Sequence, residues 1–380
     1  MRIEGKTATE VMKKAIDYCY KYGEIRQVWG GTIPADIKDP DSPNDFDREM
    51  IELPPGFTMV LTNPLANWTD YSDHWVGITL REQEDHFQRY NPGHVIKYSS
   101  LYNCWLKNNF FNYTYGERLC AYPYNIDEVS GKYKKRTSDF DQIDRAIKLL
   151  KQNPSSRKVC ISTWHPVSDL GNNYTPCNMI FQLRVIDNKL EWVTVVRSLD
   201  LLRGLSENIF QFTMYQQFVA NKLNVAVGKY TTVALNAHLY KDQIDAGYHK
   251  QDILDCYDYY TPKYAFRSDF PSKEFKSIDK LLFDQFFSIQ KYEKLLQKCS
   301  EHPEYWRNWK QVLIADWYRR NLRTEDAGKI LTGDKISRPI NNEWLFSEVR
   351  LLAKKDPKYI DLLPWKKQRE YLENETNWKR

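Results

Sequence analysis

The chain has 380 residues, with 55 basic and 50 acidic side chains and a formal charge of +5. At roughly 150 residues per domain this suggests about two domains, or one large domain with an appendage. An aromatic content of 14% excludes a disordered chain, 15 Gly and 7 Cys exclude a collagen-like repeat and a disulfide scaffold, and no apolar run approaches the span of a bilayer. The N-terminal "MRIEGKTATEVMKKAIDYCYKYG" is charged throughout and lacks the apolar centre of a secretory leader. The cysteines are scattered with no CxxC pair, so reduced thiols and a cytoplasmic location are expected.

In chain order, "ATEVMKKAIDYCYKYG" predicts a helix and "PADIKDPDSPND" a polar loop; the rest of the first hundred residues is ambiguous. "DFDQIDRAIKLLKQNP" places Ile143, Ala146, Ile147 and Leu150 at helical spacing, and Pro154 ends it. "KVCISTW" is a short apolar strand. "NMIFQLRVIDNKLEWVTVV" is two β-rich runs around Asp187-Asn188, a hairpin signal. "ENIFQFTMYQQFVANKL" puts Ile209, Phe212, Tyr215, Phe218 and Val219 on one helical face, and "GKYTTVALNAHLY" reads as a further strand. These elements predict a sheet packed with helices, in the α/β (α+β) class.

The last third differs. From Lys263 to Arg380 there are 25 basic and 18 acidic residues, a net of +7, so residues 1–262 are close to neutral. Six of the 12 Trp lie there (306, 309, 317, 344, 365 and 378). "SIDKLLFDQFFSIQKYEKLLQK", "EYWRNWKQVLIADWYRRNL", "NNEWLFSEVRLLAKK" and "DLLPWKKQREYLEN" carry apolar residues at helical spacing. Pro262 and Pro271 bracket an expected linker. The expected division is a catalytic part, 1–262, and a basic, Trp-rich helical extension, 263–380. The extension packs on the core or on a second copy of the chain, or it is a docking face for other enzymes or for nucleic acid.

The chemistry-bearing residues concentrate in 153–244, where "NPSSRK", "TPCN", "RSLDLLRGLSEN" and "NAHLYKDQ" follow one another. Cys177 follows Pro176 at the start of a β-run. A lone Cys is commonly buried and inert, but a thiolate held beside a cation is a strong nucleophile, and Arg197 is a candidate cation. Cys19, Cys104, Cys120, Cys160, Cys256 and Cys299 have no such context.

With these four motifs in register, the sequence resembles the thymidylate synthase family, which includes the phage pyrimidine hydroxymethylases. The resemblance implies a thymidylate synthase-like mixed sheet packed with helices. It also implies that Cys177 adds to C6 of a pyrimidine nucleotide and makes C5 nucleophilic. By the same resemblance, Arg197, Ser198, Arg157 and Lys158 hold the phosphate. The latter two reach into a neighbouring subunit's site, which implies a homodimer. The family usually shows two Arg where this chain has Arg-Lys, and a solvated helix end is the alternative for that pair. Asn208 matches the base reader, since a carboxamide donates to O4 and accepts from N3–H of uracil; a helix N-cap is its other reading. His238 and Tyr240 match ligands of the sugar hydroxyl, with core packing as the alternative. Asp200 and Gly204 fall on the folate side, and Tyr115 near the C5 proton. The catalytic carboxylate is Glu82, with Glu84 as second choice, or the "REQED" run is a solvated helix face. Arg26 is a candidate phosphate ligand from the N-terminal loop.

Departures from the family pattern redirect the expectation. Asn178 stands where a typical thymidylate synthase has His, Val196 where it has Gln, and Arg203-Gly204-Leu205-Ser206-Glu207-Asn208 where it has Leu-Gly-x-Pro-Phe-Asn. The cytosine hydroxymethylases share these losses but carry Asp at the Asn208 position. The expectation is therefore a deoxyuridylate hydroxymethylase, which uses 5,10-methylenetetrahydrofolate, no metal and a final water. The alternatives are a divergent thymidylate synthase and a non-catalytic nucleotide- or RNA-binding homologue.

Overall fold

The computed structural model describes residues 1–28, 48–69, 106–107, 110–111, 113–120, 140–171, 175–245, 304–320, 323–332, 349, 351–353 and 356–362. The expected loop at 34–45, the linker around Pro262 and Pro271, the helix at 277–298 and most of that at 361–374 lie outside them. The chain divides into two compact units, Met1–Ser72 with Asp85–Ser268, and Asp73–Glu84 with Asp269–Arg380.

The first unit opens with β1 (Arg2–Gly5) and α1 (Ala8–Tyr22). Thr7 begins the helix, its hydroxyl accepting from the Glu10 N–H at 3.1 Å. Val11, Met12, Ala15, Ile16 and Cys19 form its buried stripe. Next come β2 (Glu24–Val28), β3 (Arg48–Leu53) and β4 (Phe57–Leu61), none of which the sequence had predicted. The pair β5 (Leu106–Lys107) and β6 (Phe110–Phe111) forms a small ribbon. The helix α2 (Tyr115–Cys120) precedes α3 (Gln142–Gln152), whose N-cap Asp141 accepts from the Asp144 N–H at 2.8 Å. Then follow β7 (Cys160–Ser162) and the single turn α4 (Pro166–Asp169). The strands β8 (Asn178–Ile186) and β9 (Lys189–Val196) form the expected hairpin, with Asp187 and Asn188 at φ 49° and 58°, as a two-residue turn of this hand requires.

After β10 (Leu199–Asp200), the helix α5 (Gly204–Leu223) returns to β11 (Ala226–Ala234), then β12 (Ala237–Tyr240) and α6 (Lys241–Asp245). The six-stranded sheet runs β1-β4-β11-β9-β8-β7 and the four-stranded sheet β10-β12-β3-β2. The run "GKYTTVALNAHLY" is therefore two strands in two sheets, not one. The break falls at Leu235-Asn236: the Leu235 N–H still donates to Val196 O, while Asn236 O already accepts from the Leu199 N–H, both at 2.8 Å. The connections β9–β10 and β11–β12 thus leave one sheet for the other side by side.

The core lies under α5, which is buried around most of its circumference. Phe212 meets Phe181 and Tyr115 at ring-centroid distances of 4.6 and 5.2 Å. The helix also carries buried amides. Gln216 Nε2 donates to Leu190 O at 2.8 Å, Lys229 O at 3.1 Å and Gly228 O at 3.2 Å, where β11 and β9 slip register. A Cβ on Gly228 would stand 2.8 Å from Leu190 O, so only glycine fits this bulge. A buried Arg118–Asp169 pair, 2.7 Å apart, ties α2 to α4.

In the second unit α7 (Glu304–Arg320) matches the expected helix, and α8 (Thr324–Thr332) and a 3-10 turn (Pro357–Leu362) follow. The sequence had not predicted α8. Of "NNEWLFSEVRLLAKK", residues 349 and 351–353 are described and are helical.

Candidate active site

Cys177 sits immediately before β8, half-buried against the core. Its carbonyl accepts from the Arg197 N–H at 2.8 Å. The Arg197 side chain donates from Nε to Pro176 O and from a terminal nitrogen to Thr175 O, each at 3.0 Å. The guanidinium thus laces the loop that carries the thiol. Burial pushes the Cys177 thiol up, Arg197 opposes this and Asp200 adds to it. Arg197 alone would have lowered it, so burial outweighs the guanidinium.

The next residue, Asn178, is fully buried. Its Nδ2 donates to the Tyr115 hydroxyl at 2.9 Å and to Asn208 Oδ1 at 3.1 Å, and its backbone N–H donates to the same hydroxyl at 3.1 Å. One amide thus joins α2, β8 and α5 beside the cysteine. Burial first, and then Cys177, raises the Tyr115 phenol, which stays protonated at neutral pH. Asn178 Oδ1 is buried and has no hydrogen-bond partner among the described residues. Asn208 lies inside α5, which begins at Gly204, so it is not the helix N-cap. The Leu202 and Arg203 N–H groups instead donate to Asp200 Oδ1, at 2.8 and 3.1 Å.

On the four-stranded sheet, Asp200 pairs in register with His238, and His238 with Glu52. His238 is buried and packs edge-on against Tyr240, with ring centroids 4.6 Å apart. Asp200 Oδ2 accepts from Gln243 Nε2 at 3.0 Å. Among the described residues Asp200 thus accepts three hydrogen bonds, from the Leu202 and Arg203 N–H groups and from Gln243. A Cβ at Gly204 would meet Asp200 Cβ at 3.7 Å, an ordinary contact, so packing does not demand glycine there. Ser198 is half-buried next to Arg197.

Other candidates stand apart from this group. Arg157 and Lys158 are exposed, just ahead of the edge strand β7. Gln182 Nε2, on β8, donates to the Arg157 carbonyl at 3.4 Å. Arg26 is exposed on the edge strand β2 and pairs with Glu24 at 2.5 Å. Glu82 and Glu84 lie outside the described residues. Sequence reasoning missed Glu52, Asn236 and Gln243. Asn236 had a signal, since it stands two residues before His238; Glu52 had none, because only strand register brings it there.

Two mixed sheets meet around a buried helix, with cysteine, arginine and carboxamide at their junction, the architecture of a mixed α/β protein. The thymidylate synthase family model matches residues 78–300, and the chain belongs to that family. It is similar to a thymidylate synthase of Buchnera aphidicola subsp. Baizongia pistaciae, 31% identical over 157 residues, which cover 41% of this chain and 54% of that protein. A thymidylate synthase of Wigglesworthia glossinidia brevipalpis is 32% identical over 148 residues, covering 38% of this chain and 52% of that one. The chain thus spans about half the length of the curated relatives it matches. Among solved structures, thermostable thymidylate synthase A from Bacillus subtilis aligns with a TM-score of 0.52 at 18% identity, over 70% of this chain and 93% of that one, and shares the fold.

Proposed function

We propose that the chain is a deoxyuridylate hydroxymethylase, which takes dUMP, 5,10-methylenetetrahydrofolate and water to 5-hydroxymethyl-dUMP and tetrahydrofolate. The observation that carries this reading is the buried Asn178 amide. It couples the carboxamide that would read uracil to the hydroxyl of Tyr115, and its own Oδ1 is a buried acceptor without a protein donor among the described residues. An unsatisfied buried acceptor costs about 1–3 kcal/mol, and a bound water removes that cost. A water held next to the nucleophile favours hydration of the C5 methylene over reduction.

In this reading Cys177 adds to C6. Arg197 and Ser198 hold the phosphate with Arg26, and with Arg157 and Lys158 from a partner subunit. Asn208 reads the base, and His238 with Tyr240 holds the sugar hydroxyl. Asp200 and Gly204 face the folate, which supplies the one-carbon unit when bound, and Glu82 moves the proton. A homodimer is supported by apolar side chains left at the surface, Ile180 on β8 and Leu235 just after β11, which are 40% and 44% exposed. We assign the chemistry to residues 1–262 and an accessory role to 263–380, in a cytoplasmic protein. Among the described residues no helix is long and apolar enough to cross a membrane, and no side-chain group is suited to a metal ion.

The names of the relatives favour a second reading, thymidylate synthesis with dihydrofolate as product. Absorbance distinguishes the two: dihydrofolate formed in step with nucleotide turnover overturns the hydroxymethylase reading, whereas tetrahydrofolate supports it. A nucleotide- or RNA-binding homologue without turnover would release no tritium from C5-labelled dUMP.

A further inference from the structure

Beyond the side chains assigned above, Glu52, Asn236 and His238 form a hydrogen-bonded chain. Asn236 Nδ2 donates to a Glu52 carboxylate oxygen, and Asn236 Oδ1 lies 2.5 Å from His238 Nδ1. A carboxylate only accepts, so Glu52 settles which end of the Asn236 amide faces it. The amide oxygen must then face the imidazole. An oxygen only accepts, so the proton of the neutral ring sits on Nδ1 and the lone pair on Nε2. The backbone holds the same arrangement: the Leu199 N–H donates to Asn236 O at 2.8 Å and the Leu201 N–H to His238 O at 2.9 Å. His238 is 2% exposed, so bulk water is not available to choose the tautomer.

We propose that Glu52 and Asn236 are positioning residues that hold His238 as its Nδ1–H tautomer, so that Nε2 accepts the proton of a nucleotide 3′-hydroxyl. The proposal rests on the reading that His238 contacts the sugar. It adds a direction to that contact: the 3′-hydroxyl is the donor. It also adds a specificity, because a nucleotide whose O3′ lacks a hydrogen is refused.

The test is equilibrium binding of dUMP and of 2′,3′-dideoxyuridine 5′-monophosphate, which differs only in lacking the 3′-hydroxyl. The full-length protein should prefer dUMP by about tenfold or more. His238→Ala, Asn236→Leu and Glu52→Leu should each cut that preference severalfold, the remainder resting on Tyr240. Affinity for the dideoxy analogue, carried by base and phosphate, should stay within about twofold and so reports an intact fold. Asn236→Asp alone sets two carboxylates against each other, which disturbs the placement of the imidazole, and should weaken the preference. The double variant Glu52→Gln/Asn236→Asp rebuilds the chain, with the glutamine amide donating to the new carboxylate and that carboxylate accepting from Nδ1–H, and should restore the preference. A merely structural defect would not be rescued by reversing the polarity of the pair. If Asn236→Leu and Glu52→Leu keep the preference that His238→Ala loses, the relay is wrong and the sugar contact stands. If the unaltered protein has no preference, or His238→Ala leaves it intact, the sugar contact itself is wrong and the relay falls with it.

Discussion

Cys177, Asn178 and Arg197 stand at the ends of two adjacent strands of the six-stranded sheet, whereas Glu52, Asn236 and His238 meet across the four-stranded sheet. The first group is dense and short in sequence. A single hairpin brings its members together, and its arginine spends two donors on the loop that bears the cysteine. The second group needs strands that lie far apart in the chain, and its members hold one another by side-chain amide and carboxylate. The comparison separates two tasks. The hairpin end holds one thiol in a buried setting; the other end, in the proposal above, keeps one imidazole in one protonation pattern.

The largest expected effect falls on the hairpin end. Cys177→Ala should lower kcat by about a thousandfold or more while dUMP binding is largely kept, since the thiol acts only in the covalent step. A variant that kept a tenth of the activity would remove Cys177 from that step. Next in size is Asn208→Asp, which should shift the dUMP to dCMP preference toward dCMP by about tenfold or more, because the acceptor-donor pattern presented to the base changes. Unchanged selectivity would take Asn208 out of base reading.

A smaller effect tests the electrostatics of the same wall. Burial raises the Cys177 thiol, so it stays protonated at neutral pH and its thiolate fraction grows as pH climbs. Alkylation by iodoacetamide, followed peptide by peptide, should therefore reach exposed Cys160 well before Cys177 at neutral pH and approach Cys177 only at alkaline pH. Fast neutral labelling of Cys177 would mean that Arg197 outweighs burial.

The same contrast explains what the sequence disclosed. The helices α1, α3, α5 and α7 were legible because their apolar stripes repeat at helical spacing, and the end of α3 because Pro154 follows it. The β8–β9 turn was legible from Asp187-Asn188, whose positive φ suits those two residues. The division of residues 228–240 into two strands was not, since Ala-Leu-Asn has no breaker and the break is set by which neighbouring strand each residue pairs with. The Cys177 neighbourhood was readable as a set of residues, but not the direction of the thiol's shift, because burial is a property of the folded core. Glu52 was out of reach altogether: it joins the site by register alone.

The central claim, hydration rather than reduction at C5, is tested most directly by turnover in water enriched in oxygen-18, with the nucleotide product analysed by mass spectrometry. Hydration gives 5-hydroxymethyl-dUMP carrying one heavy oxygen, with tetrahydrofolate formed in equal amount. A product of the mass of dTMP, free of label and matched by dihydrofolate, would contradict it.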